Sequence, residues 1–264
     1  MEILLLYSLK NINYYYSSMN FTFGIVTSGQ NDTILPTIID SIINQSIPQY
    51  EIIIIGSTTI AHPSVKIIPF DESIKPNWIT RKKNMICEQA MYENIVLLHD
   101  YISLCDGWYA GFLQFGSDFD ICTTKIKTID GNRYRDYSLF PYKLKYPFNT
   151  RALLPYNFNI TPIINKLSYI SGAYYIIKKH IALQYPLNEE LCWGQGEDVE
   201  LSKCLSDNDI LLKCNSYSTV QLQKHKDQAG WEIELTEEDM KILTTLSDDE
   251  INKMNILSKK NKRI

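Results

Sequence analysis

The chain has 264 residues, which is enough to bury a full hydrophobic core in one domain. Its 45% hydrophobic and 21% charged residues are ordinary for a globular protein, and a net charge of −4 argues against a nucleic-acid binder, which would carry a basic patch. The six cysteines form no Cys-x-x-Cys pair and no zinc-type cluster with histidine, which predicts free thiols in a reducing compartment.

The N-terminal segment contains one short apolar run, from Met1 to Leu9. That run is too short to span a bilayer, and it lacks the basic start and the cleavage site of a signal peptide. No other segment approaches a membrane span. We therefore expect a soluble, cytoplasmic protein in which residues 1–20 are an extension outside the fold, with Met19 as a possible start.

Strand-like and helix-like patterns alternate from Phe21 onward. The run Glu51–Ile55 is almost pure isoleucine, which is typical of a strand buried on both faces. The spacing of apolar residues predicts the other elements of this half: strands at Phe21–Thr27, Val65–Phe70, Asn94–Leu98 and Phe119–Ile126, and helices at Thr33–Gln45, Trp78–Tyr92 and Asp106–Phe115. This alternation predicts an α/β domain with a mostly parallel sheet flanked by helices.

The second half of the chain is less regular. Residues Gly131–Asn159 are rich in Tyr, Pro, Arg and Asn and are predicted to form a long loop region. The pattern predicts strands at Tyr169–Ile177 and Ile210–Cys214, a helix at Val199–Leu205, and an amphipathic helical segment at Thr236–Leu257 with a new start at Ser247. We expect a single domain over residues 21–230 and a C-terminal helical extension over residues 231–264.

Small and polar residues follow three of the predicted strands. They are Thr27-Ser28-Gly29, Gly56-Ser57 and His99-Asp100. Open α/β sheets bind ligands at the carboxyl ends of their strands, so these residues are candidates for a shared site. The first two groups would let backbone amides approach a phosphate or a base, although Ser and Gly also simply end strands. Neither group has the pattern of a Gly-rich phosphate loop.

A carboxylate at Asp100, next to the imidazole of His99, suits a divalent cation such as Mg²⁺ or Mn²⁺. The alternative is a turn in which Asp100 caps the following segment.

The stretch Trp193-Gly-Gln-Gly-Glu-Asp-Val is the strongest single motif. Its glycines suit a loop that approaches a ligand closely and then enters a helix. One carboxylate of the pair Glu197-Asp198 could hold a polar substrate while the other takes a proton. The alternative is an acidic helix N-terminus placed favourably against the helix dipole.

The order of these motifs, together with Arg81-Lys82-Lys83-Asn84 and Ser171-Gly172-Ala173, resembles the GT-A nucleotide-sugar glycosyltransferases over roughly residues 21–225. The similarity is greatest to the family 2 type, with a Trp-Gly-x-Gly-Glu-Asp stretch similar to galactosyltransferase-like enzymes. The resemblance implies a Rossmann-like GT-A fold, sugar transfer of the hexosyl type, a nucleoside-diphosphate donor (a UDP-sugar above all), and Mn²⁺ or Mg²⁺.

The resemblance also implies residue roles. Asp198 matches a catalytic base and Glu197 an acceptor-binding carboxylate. Asp100 matches a metal ligand on the donor diphosphate, with His225 as a further ligand. The expected donor-site residues are Thr27, Ser28, Gly29, Gly56, Asp71, Lys83, Asn84, His99 and Gly172, where Asp71 would replace an acidic residue that is missing after the second strand.

Several of these residues have plain structural alternatives. His225 is as readily a surface or core histidine as a ligand. Lys83 and its neighbours could be a solvated helix face. Trp108 and Trp193 could stack on a sugar, but burial is the commoner fate of tryptophan. The sequence His99-Asp100-Tyr101 has one carboxylate where the usual motif has two, so either His99 or a partner elsewhere completes the metal site, or metal dependence is weaker.

These observations predict an inverting, metal-assisted glycosyltransferase acting on a glycan, protein or lipid acceptor. Two alternatives stay open. A nucleotidyltransferase would share the nucleotide-binding sheet, but the Gly-rich phosphate loop is missing. An inactive GT-A binding or scaffold module is suggested by the incomplete acidic motif.

Overall fold

An eight-stranded sheet forms the centre of the protein in a computed structural model that describes residues 18–139, 151–226, 232–247, 249–251 and 253. The strands are β1 (Phe21–Val26), β2 (Tyr50–Ile55), β3 (Val65–Ile68), β4 (Asn94–His99), β5 (Ile102–Leu104), β6 (Ile121–Lys127), β7 (Ser138–Leu139), β8 (Arg151–Leu153), β9 (Ser168–Tyr169), β10 (Tyr174–Lys178), β11 (Leu212–Leu222) and β12 (Glu232–Glu234). The helices are α1 (Leu35–Ile43), α2 (Ile79–Gln89), α3 (Trp108–Phe115), α4 (Pro162–Asn165), α5 (Lys179–Gln184), α6 (Glu197–Asp207) and α7 (Glu237–Thr245).

The main sheet has the strand order β3-β2-β1-β4-β10-β6-β11-β5. The first four strands in this order pair in parallel, as do β6 and β11. Strand β10 runs antiparallel to both of its neighbours, and β5 runs antiparallel to β11. A smaller sheet has the order β12-β8-β7-β9. The predicted α/β class with a mostly parallel central sheet is confirmed.

Hydrophobic layers cover both faces of the main sheet. In β2, Ile53 and Ile55 belong to one layer and Ile52 and Ile54 to the other, because successive side chains of a strand point to opposite faces. Helices α1 and α3 contribute to the layer that holds Ile52, whereas α2 and α6 contribute to the layer that holds Ile53. The isoleucine run therefore indicated the buried central strand correctly.

The predicted strand Tyr169–Ile177 is in fact two strands of different sheets. Strand β9 ends at Tyr169 and β10 begins at Tyr174, and between them the amide of Tyr174 donates to the carbonyl of Ser171 at 3.2 Å in a tight turn. The prediction of one strand was wrong because the apolar pattern runs through the turn. The turn brings Gly172 next to α6, where its backbone amide donates a hydrogen bond to Asp198.

The region Gly131–Asn159 is also more ordered than the sequence suggested. Strands β7 and β8 pair antiparallel within it, and they are too short to show a period-two pattern. Residues 140–150 lie outside the described part. Strand β11 extends beyond the predicted Cys214 to Leu222, with a register shift between Asn215 and Thr219.

The C-terminal segment packs on the domain. Strand β12 pairs with β8, and α7 begins with a capping box between Thr236 and Asp239. The side chains of Leu243 and Ile251 are fully buried in the same layer as Ile53. At the other end, residues 1–17 of the predicted extension lie outside the described residues. In the described part of the chain, none of the helices has the length and apolar character needed to cross a bilayer.

Candidate functional site

A polar cleft of about 230 Å³ opens at the carboxyl ends of β1 and β4. Its position is the one predicted from the strand order. The walls are formed by Val26, Thr27, Ser28, Gln30, Asn31, Asn77, Ile79, Lys82, His99, Asp100, Tyr101, Trp193, Lys224 and Lys226.

Asp100 is held at the base of this cleft by two side chains. The hydroxyl of Thr27 donates to Oδ2 at 2.8 Å, and the amide of Asn31 donates to Oδ1 at 2.8 Å. The Thr27 hydroxyl in turn accepts from the amide of Gly29 at 3.0 Å. The loop after β1 is therefore built around this carboxylate, and it brings Thr27 and Gly29 next to Asp100.

His99 lies beside the cleft and is buried. Its Nδ1 lies 3.0 Å from the Tyr101 hydroxyl, whereas Nε2 has no hydrogen-bond partner among the described residues. Burial, and next the positive charge of Lys83 and other lysines, lowers the pKa of His99 well below its ordinary value. The imidazole is neutral at physiological pH.

Three lysines supply the positive charge of the cleft. Lys82 on α2 is buried, and its Nζ donates to the carbonyl of Thr27 at 2.9 Å and pairs with Glu72 at 2.5 Å. The interpretation of this helix face as solvated does not hold for Lys82. The other two are Lys224 and Lys226, whose ammonium nitrogens both lie 4.3 Å from the centre of the Tyr101 ring.

His225 lies outside the cleft that its two lysine neighbours line. Its side chain is exposed, and Nδ1 lies 3.8 Å from a carboxylate oxygen of Asp130. It is not among the residues that line the cleft. The structure therefore does not bring the predicted metal ligands Asp100 and His225 together at that surface.

The groups around Asp100 form a poor ligand set for a divalent cation held by the protein alone. Mg²⁺ and Mn²⁺ prefer several oxygen ligands, whereas Asp100 is the one carboxylate among the described residues that line the cleft, and each of its oxygens already accepts one hydrogen bond. His99 Nε2 adds at most one nitrogen, and the ammonium groups of the same walls repel a cation. Among the described residues, no three His, Cys, Asp or Glu side chains converge as a metal-binding set.

A second polar cluster forms where α6 begins. Gly196 takes a left-handed conformation at φ 82°, and Glu197 and Asp198 then occupy the first helical turn. Oδ2 of Asp198 accepts from the Tyr169 hydroxyl at 2.7 Å and from the Gly172 amide at 3.2 Å. These partners come from β9 and from the turn before β10, so the carboxylate does more than cap its own helix.

Lys83 lies behind this cluster, fully buried. Its Nζ donates to the Gly172 carbonyl at 2.6 Å. Burial lowers the pKa of Lys83 to about 8, although the nearby charges of Glu197 and Asp198 act in the opposite direction. Burial also raises the pKa of Glu197, and the charge of Asp198 adds to that rise. Adjacent lysines of α2 thus serve both polar regions, with Lys82 at the cleft and Lys83 at the acidic pair.

The remaining predicted donor-site residues have different positions. The side chain of Asn84 accepts a hydrogen bond from the backbone amide of Leu187 at 3.0 Å and donates one to the carbonyl of Leu187 at 2.8 Å. These two bonds hold the segment before α6 in place. Gly56 has φ 146°, and a Cβ there would lie 2.0 Å from the Thr27 carbonyl oxygen, so its role is close strand packing. The exposed Asp71 accepts from Ser73, which lowers its pKa, and it does not line the cleft.

The two tryptophans have opposite environments. Trp108 is fully buried in the core, whereas Trp193 is 56% exposed and lines the cleft. The backbone amide of Trp193 donates to the Asn77 carbonyl at 3.0 Å, which fixes the loop before α6 against the cleft wall.

Sequence reasoning missed several residues of both regions, namely Asn31, Lys82, Tyr169, Lys224 and Lys226. A signal existed for the last two, because they flank His225. For Tyr169 there was none, since it reaches Asp198 across 29 residues of chain.

At the level of sequence, no protein-family model and no curated protein matches the chain. Solved structures do resemble it. A crystal structure of GalNAc-T7 with UDP, GalNAc and Mn²⁺ aligns with a TM-score of 0.61 at 16% identity, over 83% of this chain and 46% of GalNAc-T7. A structure of Staphylococcus aureus TarS residues 1–349 with UDP-GlcNAc aligns with a TM-score of 0.55 at 12% identity, over 90% of this chain and 70% of that one.

The chain thus spans about half the length of the GalNAc-T7 chain that it matches. Both structures are glycosyltransferases of the GT-A type. At these identities the likeness establishes the architecture. The chain has the GT-A nucleotide-sugar glycosyltransferase fold.

Proposed function

We propose that the protein is a glycosyltransferase that moves a sugar, of the hexosyl type, from a nucleoside-diphosphate donor to an acceptor hydroxyl. The observation that carries the proposal is the carboxylate of Asp198, which Tyr169 and Gly172 hold at the start of α6. The GT-A fold supports it, because that fold places the donor at the carboxyl ends of the strands where the polar cleft lies.

The cleft is the proposed donor site. Its lysines match the negative charge of a diphosphate, and the hydroxyl and amide groups of the loop after β1 offer polar contacts. A UDP-sugar is the proposed donor, in line with the UDP found in GalNAc-T7 and the UDP-GlcNAc found in TarS.

Asp198 is the proposed general base. In a single in-line displacement, the acceptor oxygen forms a bond to the anomeric carbon while the bond from that carbon to the diphosphate breaks. The acceptor proton passes to Asp198, and the electron pair of the broken bond leaves with the phosphate. This path inverts the anomeric centre. Glu197, in the same helical turn, is the proposed acceptor-binding carboxylate.

The surroundings of Asp198 supply hydrogen-bond donors and a nearby positive charge. Tyr169 stays a hydrogen-bond donor because burial, and next the charge of Asp198, raises its own pKa well above the ordinary value. The Lys83 ammonium adds a positive charge behind the acidic pair. The predicted Mn²⁺ or Mg²⁺ has no step in this scheme, because the groups around Asp100 form a poor ligand set for it.

The direct test is to incubate the protein with a panel of UDP- and GDP-sugars and to measure release of the nucleoside diphosphate. Release from at least one donor is expected. Binding of a nucleotide with no release from any donor would favour an inactive binding module. Binding to none of the nucleotides, by calorimetry, would contradict the proposal. Release of pyrophosphate from a nucleoside triphosphate would point to a nucleotidyltransferase.

A further inference from the structure

Two ammonium groups share one aromatic ring in the cleft. The Nζ atoms of Lys224 and Lys226 are each 4.3 Å from the centre of the Tyr101 ring, which is buried at the cleft wall. Both lysines line the cleft. Cation–π contact of this kind holds the two charges at a defined place without a salt bridge.

Neither lysine has a carboxylate partner within ion-pair distance among the described residues. Among the described residues, the polar contact of Lys224 is the neutral side-chain oxygen of Asn31 at 3.4 Å. Burial, followed by the charge of Lys224, lowers the pKa of Lys226, while the charge of Asp100 acts in the opposite direction. The local field therefore favours an anion with more than one charge at this place.

The cleft offers a divalent cation few ligands. Asp100 is the one carboxylate among the described residues that line the cleft, and each of its oxygens accepts a hydrogen bond, from Thr27 or from Asn31. In addition, Asn31 contacts both Asp100 and Lys224, so the loop after β1 and the segment after β11 meet at this point.

We propose that Lys224 and Lys226 hold the donor diphosphate by direct ionic contact, so that the nucleoside diphosphate binds without a divalent cation. This inference rests on the proposed function, since it assigns the anion that the cleft takes. The chemistry is consistent with transfer, because an ammonium group placed at the phosphate neutralises the charge that develops as the sugar departs.

The experiment is isothermal titration calorimetry of the full chain with UDP and with UMP, each in EDTA and in Mn²⁺. UDP is expected to bind in EDTA with an affinity within about 3-fold of that in Mn²⁺, where a 10-fold change corresponds to 1.4 kcal/mol. The second phosphate should make UDP bind about 10-fold or more tighter than UMP even in EDTA, since it provides the charge that the lysines contact.

The double variant Lys224→Gln/Lys226→Gln should lose at least about 10-fold in UDP affinity in EDTA while UMP affinity changes little, so that the preference for UDP collapses. The variant Lys224→Arg/Lys226→Arg should keep the preference, because the charge is retained. Lys66→Ala is the matched control. Lys66 is on the outer strand β3 and contacts Gln89, away from the cleft.

Two results would overturn the inference while leaving the proposed function intact. One is UDP binding that EDTA abolishes and Mn²⁺ restores. The other is a Gln double variant that melts like the wild type and binds UDP as tightly. If the wild type binds neither UDP nor GDP with or without Mn²⁺, the proposed function itself is contradicted.

Discussion

The hydroxyl of Tyr169 donates a hydrogen bond of 2.7 Å to Oδ2 of Asp198. Tyr169 ends β9 in the small sheet, and Asp198 is in the first turn of α6, which packs on the main sheet. The contact therefore ties the small sheet to the proposed catalytic base. The turn between β9 and β10 adds a second donor, the Gly172 amide.

Replacing Tyr169 with Phe removes one hydrogen-bond donor from Oδ2 of Asp198 and frees the carboxylate to move. Hydrogen bonds to charged groups contribute about 1.5–3 kcal/mol, so kcat should fall by about 10-fold or more while nucleotide affinity stays within about 2-fold of wild type. Wild-type kcat in Tyr169→Phe would show that Tyr169 does not position the base.

Replacing Gly172 with Ala should displace Asp198. A Cβ at Gly172 would lie 3.1 Å from both Cβ and Oδ2 of Asp198, which is tighter than ordinary contact. Because a small misplacement of a catalytic group is costly, we expect kcat to fall about 10-fold with nucleotide affinity within about 2-fold of wild type. Ser171→Ala, one residue away in the same turn, is the control and should keep kcat. Equal kcat in both variants would argue against Asp198 as the base.

The lowered pKa of Lys83 predicts that the stability of the protein depends on pH. Burial lowers the pKa of Lys83 to about 8 in the folded protein, whereas the pKa of an unfolded lysine is about 10.4. Between these two pH values the lysine is protonated in the unfolded chain and mostly neutral in the folded protein. The free energy of unfolding of wild type, relative to Lys83→Met, should therefore rise with pH across this range, by up to about 1.4 kcal/mol per pH unit. Urea unfolding of both proteins from pH 7.5 to 10 measures it. Parallel curves would mean that folding does not lower the pKa of Lys83.

The two tryptophans provide a matched pair. Trp193 is exposed at the cleft, so Trp193→Ala should raise the KM for a substrate by about 10-fold and leave the Tm nearly unchanged. Trp108 is fully buried, and its Nε1 donates to the Tyr174 hydroxyl at 2.8 Å. Trp108→Ala should cost about 3–5 kcal/mol of stability. If Trp193→Ala has a normal KM for both substrates, its ring does not contact them.

The parts of the fold that were predictable from sequence have local causes. The isoleucine run of β2 indicated a strand buried on both faces, and the structure places alternate isoleucines in opposite layers. In the same way, glycines ahead of Glu197-Asp198 indicated a loop entering a helix, and Gly196 does begin α6 in a left-handed conformation. Such features depend on a few adjacent residues, which the sequence displays directly.

The parts that were not predictable depend on distant contacts. Asn31 reaches Asp100 across 69 residues, and Lys224 reaches Asn31 across 193. The turn at Gly172 was read as strand because its apolar pattern is continuous, and only the pairing of β9 and β10 with different sheets separates them. Lys82 looked solvated because a helix with several charged residues usually exposes them, whereas here the loop after β1 covers it.

We propose that Asp198 takes the acceptor proton in a site that binds a nucleoside diphosphate. Asp198→Asn tests this proposal when both sugar transfer and nucleotide affinity are measured with the donor that the wild type uses. We expect kcat to fall by about 10²–10⁴-fold while nucleotide affinity stays within about 3-fold of wild type, because Asn keeps the shape but accepts no proton. Transfer at the wild-type rate by Asp198→Asn would show that Asp198 is not the base.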